Sequence, residues 1–224
     1  MVDKSLYAKA RQLYQRKEIE RLGISPEPEQ RSAIITYFAL ILKWNDTVGL
    51  VSKNDIDDIF VRHFCDSLQP LLLFGFKKNA RVLDVGSGAG FAAIPIKILR
   101  PDIAFVMVES RKKKCSFLRE VKEVLAFEHM TILNDRIETM EPPREKFDYA
   151  LSRGVGPLRR LAKLVYPYID KGSRLYSYQT KNFMKEIEEI TQQKEKEGYR
   201  VSEIAEYDLG RRIFDLKIVA LEPL

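Results

Sequence analysis

Arg81-Val-Leu-Asp-Val85 followed by Gly86-Ser-Gly88-Ala-Gly90-Phe91 decides the fold. A short β-prone run bounded by glycines reads as a buried strand. Glycines at alternate positions let the chain turn sharply and approach a ligand closely. The apolar stretch Phe91 to Leu99 then predicts a helix, whose first turn offers unpaired N–H groups to that ligand.

Working outward toward the C-terminus, the same alternation repeats. Strands are expected at Ile103 to Val108, Met130 to Leu133, Phe147 to Leu151 and Ser173 to Tyr178. Helices are expected at Lys112 to Ala126, Pro157 to Ile169 and Phe183 to Glu197. The first of these carries Phe117, Leu118, Val121, Val124 and Leu125 on one face. Two last strands, Tyr199 to Tyr207 and Arg212 to Leu221, follow one another without a helix between them. Alternating strands and helices call for a parallel sheet covered on both faces, and the terminal pair for an antiparallel edge. A doubly wound α/β domain of six or seven strands over residues 79–224 is expected.

Toward the N-terminus, residues 1–78 read as a helical extension. Ile34, Ile35, Phe38 and Leu42 fall at helical spacing within Ser32 to Trp44, after Pro26 and Pro28 and before Gly49. A second helix is expected over Asp55 to Phe74, opened by Ser52-Lys53-Asn54-Asp55 and closed by Gly75. His63 and Asp66, three residues apart, share one face there and are candidates for a mutual hydrogen bond.

The glycine loop and Glu109, at the end of the second strand, indicate a nucleoside ligand, because a carboxylate there can accept both ribose hydroxyls. The loop spacing is GxGxG, with Phe91 where a dinucleotide fingerprint has its third glycine. Asp84 precedes the first glycine by two residues and would repel a pyrophosphate. S-adenosylmethionine, which carries an ammonium and a sulfonium, is favoured; a nicotinamide cofactor is the alternative. Asn134-Asp-Arg136-Ile137-Glu138 follows the third strand, where an adenine would lie. Arg153 follows the fourth, facing the switch-point crevice.

Charge points to the partner. The chain carries a net charge of +6 and a pI near 9.2. Lys/Arg and Asp/Glu cancel at ten each in residues 1–75, so the excess lies in the α/β part. A basic domain suits a polyanion, from which it releases counterions. Arg111-Lys-Lys-Lys114, Arg159-Arg160 and Arg211-Arg212 are the candidate phosphate contacts. No run approaches the ~18 apolar residues of a membrane span, and Met1 to Lys17 carries no signal-like apolar block, so a cytoplasmic location is expected. Cys65 and Cys115 are the only cysteines. Without a CxxC or a neighbouring histidine cluster they predict buried thiols, and neither a disulfide framework nor a metal site. Tyr176 and Tyr178 share one face of the fifth strand; core packing is expected for them, with stacking on an extruded base as the alternative.

Several segments, in order, resemble the RsmG/GidB family of small-subunit ribosomal RNA guanine-N7 methyltransferases. They are Lys43-Trp44-Asn45, Arg62-His63…Asp66-Ser67, Asp84 to Phe91, Ile94-Pro95, Arg136-Ile137-Glu138 and Phe147-Asp148…Ser152-Arg153. The resemblance runs from about Ser32 to Leu221. It implies a Rossmann-like class I SAM-dependent methyltransferase that acts on guanine N7 of small-subunit rRNA. Gly86, Phe91, Ile137, Glu138 and Arg153 would then contact the donor, together with Asp84, Gly88, Gly90 and Glu109 of the loop reading. Arg62, His63, Lys112, Lys113, Tyr178 and Arg212 are the candidates on the acceptor side. Guanine N7 has a free lone pair and loses no proton on attack, so no catalytic base is expected, whereas a pyrimidine-C5 methylase would need a thiolate. The chain departs from the family at Gly49-Leu50-Val51 (usually Asn-Leu-Thr), Ala92-Ala93 (usually Pro-Gly) and Gly154 (usually Ala). It departs also at Gln179-Thr180, where the fifth strand usually ends in Lys-Gly and Lys181 comes two residues late. The alternatives are methylation of another RNA, a protein or a small molecule, or a non-enzymatic ribosome-binding factor with a vestigial donor site.

Overall fold

The computed structural model describes residues 3–179, 183–192, 198–210 and 216–224. Seven strands form one sheet: β1 (Arg81–Val85), β2 (Ala104–Val108), β3 (Met130–Leu133), β4 (Phe147–Arg153), β5 (Ile169–Gln179), β6 (Tyr199–Tyr207) and β7 (Leu216–Pro223). Their order is β3-β2-β1-β4-β5-β7-β6. The first five run parallel, and β7 is antiparallel to both β5 and β6. The antiparallel strand therefore lies one place in from the edge, with β6 outermost. Strand order reverses between β1 and β4, which run parallel, and this switch places a crevice at their C-terminal ends.

Strand β1 shows why the strand pattern is apolar throughout. Val82 points into one core and Leu83 and Val85 into the other, so neither face meets water. The second core is closed by Leu158, Leu161 and Val165 of α7 (Leu158–Val165) and Ile187 and Ile190 of α8 (Met184–Gln192). The first is closed by α5 (Ile94–Leu99), α6 (Lys112–Val124) and the N-terminal helices.

Those N-terminal helices are α1 (Lys4–Leu13), α2 (Arg16–Arg21), α3 (Pro28–Val48) and α4 (Gln69–Phe74). Pro28 opens α3, where its missing N–H costs nothing, and left-handed Gly49 closes it. The buried face of α3 belongs to the same apolar cluster as Val82 and Phe105 of the sheet. Polar side chains pin the two together. The Gln30 amide donates to Ile98 and Leu99 carbonyls at the end of α5, and Lys43 and the Trp44 indole both reach Glu120 on α6, each at 2.6 Å. Asn45 clamps the turn beyond α3 by accepting from Leu50 N and Val51 N and donating to Val51 O.

The helix expected over Asp55 to Phe74 is not continuous. A π-helical turn covers Phe60–Cys65, in which Asp66 N reaches back to Val61 O, and α4 restarts at Gln69. Pro70 supplies no N–H and suits only a first turn, so a single α-helix cannot run through it. Likewise the glycine loop delays α5 to Ile94, three residues beyond the expected start. The ends of the predicted helix and strand that fall on residues 193–197 and 211–215 lie outside the described residues.

Candidate functional site

Three compartments lie in a row along the C-terminal ends of the strands, and Val155 borders all three. The central one, about 560 Å³, is walled by Asp84, Gly86, Gly88, Phe91, Glu109 and Arg153, among others. On the β3 side a smaller one of about 230 Å³ meets Ile137, Glu138 and Arg136. On the β5 side a third, about 380 Å³, is bordered by Arg62, His63, Asp66, Tyr178, Gln179 and Tyr207.

The loop conformation explains the glycines of the central compartment. Gly86 N and Ser87 N both donate to Val108 O, folding the loop over β2. Gly86 has φ +71°, and a Cβ there would come 2.4 Å from Val155 Cγ2. Gly88 has φ +58°, and a Cβ there would meet nothing nearer than 3.8 Å, so open space lies beside its backbone. Gly90 serves differently: its missing Cβ makes room for Ile94 and Leu118 beneath the loop, away from the compartment. Tyr37 of α3, which the sequence reading did not single out, donates from its buried hydroxyl to Ala89 O at 2.7 Å. Its place among the apolar positions of α3 was legible, its reach to the loop was not.

Two carboxylates set the electrostatics. Glu109, which lines the compartment, is 6% exposed; its two oxygens accept from Gly88 N (2.9 Å) and Arg111 N (2.8 Å), which leaves each a further lone pair. Asp84 is 1% exposed, and its Oδ2 has no hydrogen-bond partner. Burial pushes the Asp84 carboxyl up to about 7, with Glu109 adding to the rise and a bond from Ser87 opposing it. A buried carboxylate oxygen without a partner is costly, and a cation beside it offsets the cost.

Arg153 stands on the ridge between the central and third compartments. Its Nη2 donates to Arg62 O (2.7 Å) and lies 3.0 Å from Asp66 Oδ2, while Nη1 reaches His63 O at 3.4 Å. The guanidinium also faces the rings of Phe91 (6.0 Å) and Tyr178 (5.7 Å). His63 stacks on Phe91, with centroids 4.5 Å apart at 18°. Neither of its ring nitrogens has a partner, and burial, aided by Arg153, lowers its pKa to about 3, so the ring is neutral. The expected bond between His63 and Asp66 is absent. Asp66 turns instead to Arg153 and to the Tyr207 hydroxyl, 2.5 Å from Oδ1, because the π-turn rotates the two side chains apart. Tyr207 was missed, since nothing in its strand pattern signals a partner 141 positions away.

The other candidates are distributed as follows. Ile137 is buried, its carbonyl held by the Tyr168 hydroxyl, and exposed Glu138 pairs with Arg160 at 3.3 Å. Arg62 is bridged to Asp55 and Asp58 at the rim. Tyr178 is 9% exposed, donates its hydroxyl to Ser67 O and forms part of the wall of the third compartment. Tyr176 lies in the core, stacked on Phe74 at 4.8 Å. Arg111 and Lys114 line the central compartment, whereas Lys112 and Lys113 are exposed on the first turn of α6, outside its walls. Arg212, with Arg211, Thr180 and Lys181, lies outside the described residues. Both cysteines are buried and free, and burial raises both thiols. Among the described residues no helix is long and apolar enough to cross a membrane, and no His, Cys, Asp and Glu side chains gather as a metal-holding group.

The family described as "rRNA small subunit methyltransferase G" matches residues 30–214. Among the relatives of that name, one from Caldanaerobacter subterraneus subsp. tengcongensis is 33% identical, over 74% of this chain and 74% of its own. One from Staphylococcus haemolyticus is 31% identical, over 77% of this chain and 73% of its own. The fold is shared with a SAM-dependent methyltransferase from Aquifex aeolicus (TM-score 0.57, 17% identity, covering 74% of this chain and 93% of that one). It is shared also with M. jannaschii TYW2, solved in complex with AdoMet (TM-score 0.55, 15% identity, 78% of each chain).

Proposed function

The chain belongs to the rRNA small subunit methyltransferase G family, S-adenosylmethionine-dependent methyltransferases of small-subunit ribosomal RNA, and we propose that the atom it methylates is N7 of a guanine. The observation that carries the reading is the partnerless buried Asp84 Oδ2 in the wall of the central compartment. A donor that bears an ammonium and a sulfonium fits that carboxylate; a pyrophosphate does not. We assign the donor to the central compartment, its adenosine toward Ile137 and Glu138 and its ribose at Glu109. The acceptor base is assigned to the compartment bordered by His63, Asp66, Tyr178 and Gln179.

When bound, the donor supplies an electrophilic methyl group on a sulfonium. The chain's own contribution is alignment. Glu109, itself held by Gly88 N and Arg111 N, fixes the ribose. Phe91 and His63, stacked on one another, form the wall between donor and acceptor. N7 sheds no proton, and His63, a weak base with its pKa lowered to about 3, suits a reaction that requires none. Placing nucleophile, methyl carbon and sulfur in line is worth up to roughly 7–11 kcal/mol of barrier.

Lys112, Lys113 and Lys114 occupy the first turn of α6, where the helix dipole disfavours cations and where the helix carries no acid. A bound phosphate backbone offsets that cost, which supports RNA as the partner. We further place the protein in the cytoplasm, acting on the ribosomal subunit or its RNA. Gln179, in place of the family's usual lysine, borders the acceptor compartment and favours, as a second reading, a different nucleotide or RNA.

Methyl transfer from labelled donor to small-subunit rRNA lacking its normal modifications tests the assignment. The expected product is 7-methylguanosine at a single site, identified by mass spectrometry. A different methylated nucleoside overturns N7; no incorporation by a protein that binds donor overturns the acceptor.

A further inference from the structure

We infer that Tyr207 is a positioning residue for methyl transfer: its hydroxyl fixes Asp66, and Asp66 fixes Arg153 on the ridge between donor and acceptor compartments. The inference rests on the compartments assigned above. Asp66 is 4% exposed, and each of its oxygens has one side-chain partner. Oδ1 accepts from Tyr207 at the end of the outermost strand, at 2.5 Å; Oδ2 pairs with Arg153 at the end of β4, at 3.0 Å. Arg153 in turn binds the carbonyls of Arg62 and His63, so one chain of contacts runs from β6 to the stacked His63–Phe91 wall. Tyr207 itself lines the acceptor compartment. Packing alone would be served by phenylalanine, so the hydroxyl is the part with a specific task.

The groups that face Asp66 are Arg153 from β4, Tyr178 from β5 and Tyr207 from β6, with Arg62, His63 and Cys65 on its own segment. Burial pushes the Asp66 carboxyl up, while Arg153 and the Tyr207 hydroxyl oppose the rise. Loss of the hydroxyl therefore shifts Asp66 toward its neutral form, and a neutral Asp66 releases Arg153. The defect must grow as pH falls.

The test compares the full chain with Tyr207→Phe in two ways. The first is carbon-13 NMR titration of the aspartate carboxyls, with the Asp66 signal identified by its loss in Asp66→Asn. The second is single-turnover methyl transfer to unmodified rRNA between pH 6 and 9. Tyr207→Phe should raise the Asp66 midpoint by about one unit. Its rate should fall further below wild type as pH drops toward 6, by no more than about tenfold, and come within about twofold at the alkaline end. Taking the ratio to wild type cancels the titration of Asp84. Asp66→Asn should be slower than wild type at the alkaline end, and Tyr207→Phe should approach it as pH falls. An unmoved midpoint, a rate ratio constant with pH, or a wild-type rate in Asp66→Asn overturns the inference. If wild type transfers no methyl group while the midpoint moves, the link between Tyr207 and Asp66 stands and the proposed function falls.

Discussion

On the proposed donor side of the crevice, Gly88 and Glu109 meet across 21 residues of chain, just beyond the ends of neighbouring parallel strands. On the proposed acceptor side, Asp66 and Tyr207 meet across 141, one from a π-turn and one from the edge of the sheet. The donor side is held by backbone amides and glycine geometry; the acceptor side is held by a buried ion pair and a hydroxyl. A motif can encode the first, because strand, turn and helix are consecutive. The second exists only after the last strands have docked. The donor side should therefore respond to substitution within the loop, and the acceptor side to changes far away in sequence.

Arg153→Ala should have the largest effect because it touches both sides. It strands Asp66 without its guanidinium, which costs on the order of 3 kcal/mol, and removes part of the donor wall. Calorimetry should show weakened donor binding together with a fall in Tm; equal donor affinity would confine Arg153 to the acceptor side. Gly86→Ala tests the donor side alone. The new Cβ meets Val155 at 2.4 Å in a left-handed conformation that itself costs ~1–2 kcal/mol. A loss of donor affinity of more than about tenfold is expected, with the Asp66 titration unchanged.

Asp84→Asn should separate stability from function. The folded carboxyl titrates near 7, against ~3.9 unfolded. The folded state thus holds a proton that the unfolded chain has lost, and wild-type stability declines as pH rises from about 4 to about 7. Asparagine removes that decline, so Tm at pH 8 should rise by about 2–4 °C per kcal/mol relieved. Donor affinity, which in wild type should strengthen as pH rises through about 7, should drop and lose that dependence. A pH dependence that survives in Asp84→Asn would clear Asp84 of the role. The smallest effect is expected for Lys113→Ala, outside both compartments. Affinity for rRNA should weaken modestly, the salt slope should fall by about one, and donor binding should not change; an unaltered salt slope would remove α6 from the RNA surface.

Most of the sheet was legible because each strand carries its own apolar run between turn residues; β1, β3 and β6 have the bounds their sequences suggested. The broken helix at Phe60–Phe74 was not, because periodicity alone does not distinguish an α-helix from a π-turn that restarts at a proline. At the site, the glycine loop and Glu109 were readable as a strand–turn–helix signal. The separation of His63 from Asp66 was hidden, since it depends on how far the π-turn rotates each side chain, and so was the spent hydroxyl of Tyr178.

From residue order alone came the alternating architecture, the acid-flanked glycine loop that disfavours a pyrophosphate, and the resemblance that names the reaction. These rest on local physics: hydrophobic period, glycine's positive φ and the sign of a charge beside a ligand. Tertiary structure alone decided that Tyr37 holds the loop from below, that Trp44 and Asn45 serve packing and a turn, and that Arg153, Asp66 and Tyr207 form one chain of contacts. Those arrangements follow from burial. Once docking removes water from an arginine, a carboxylate and a hydroxyl, each must find its partner among whatever the fold has brought near.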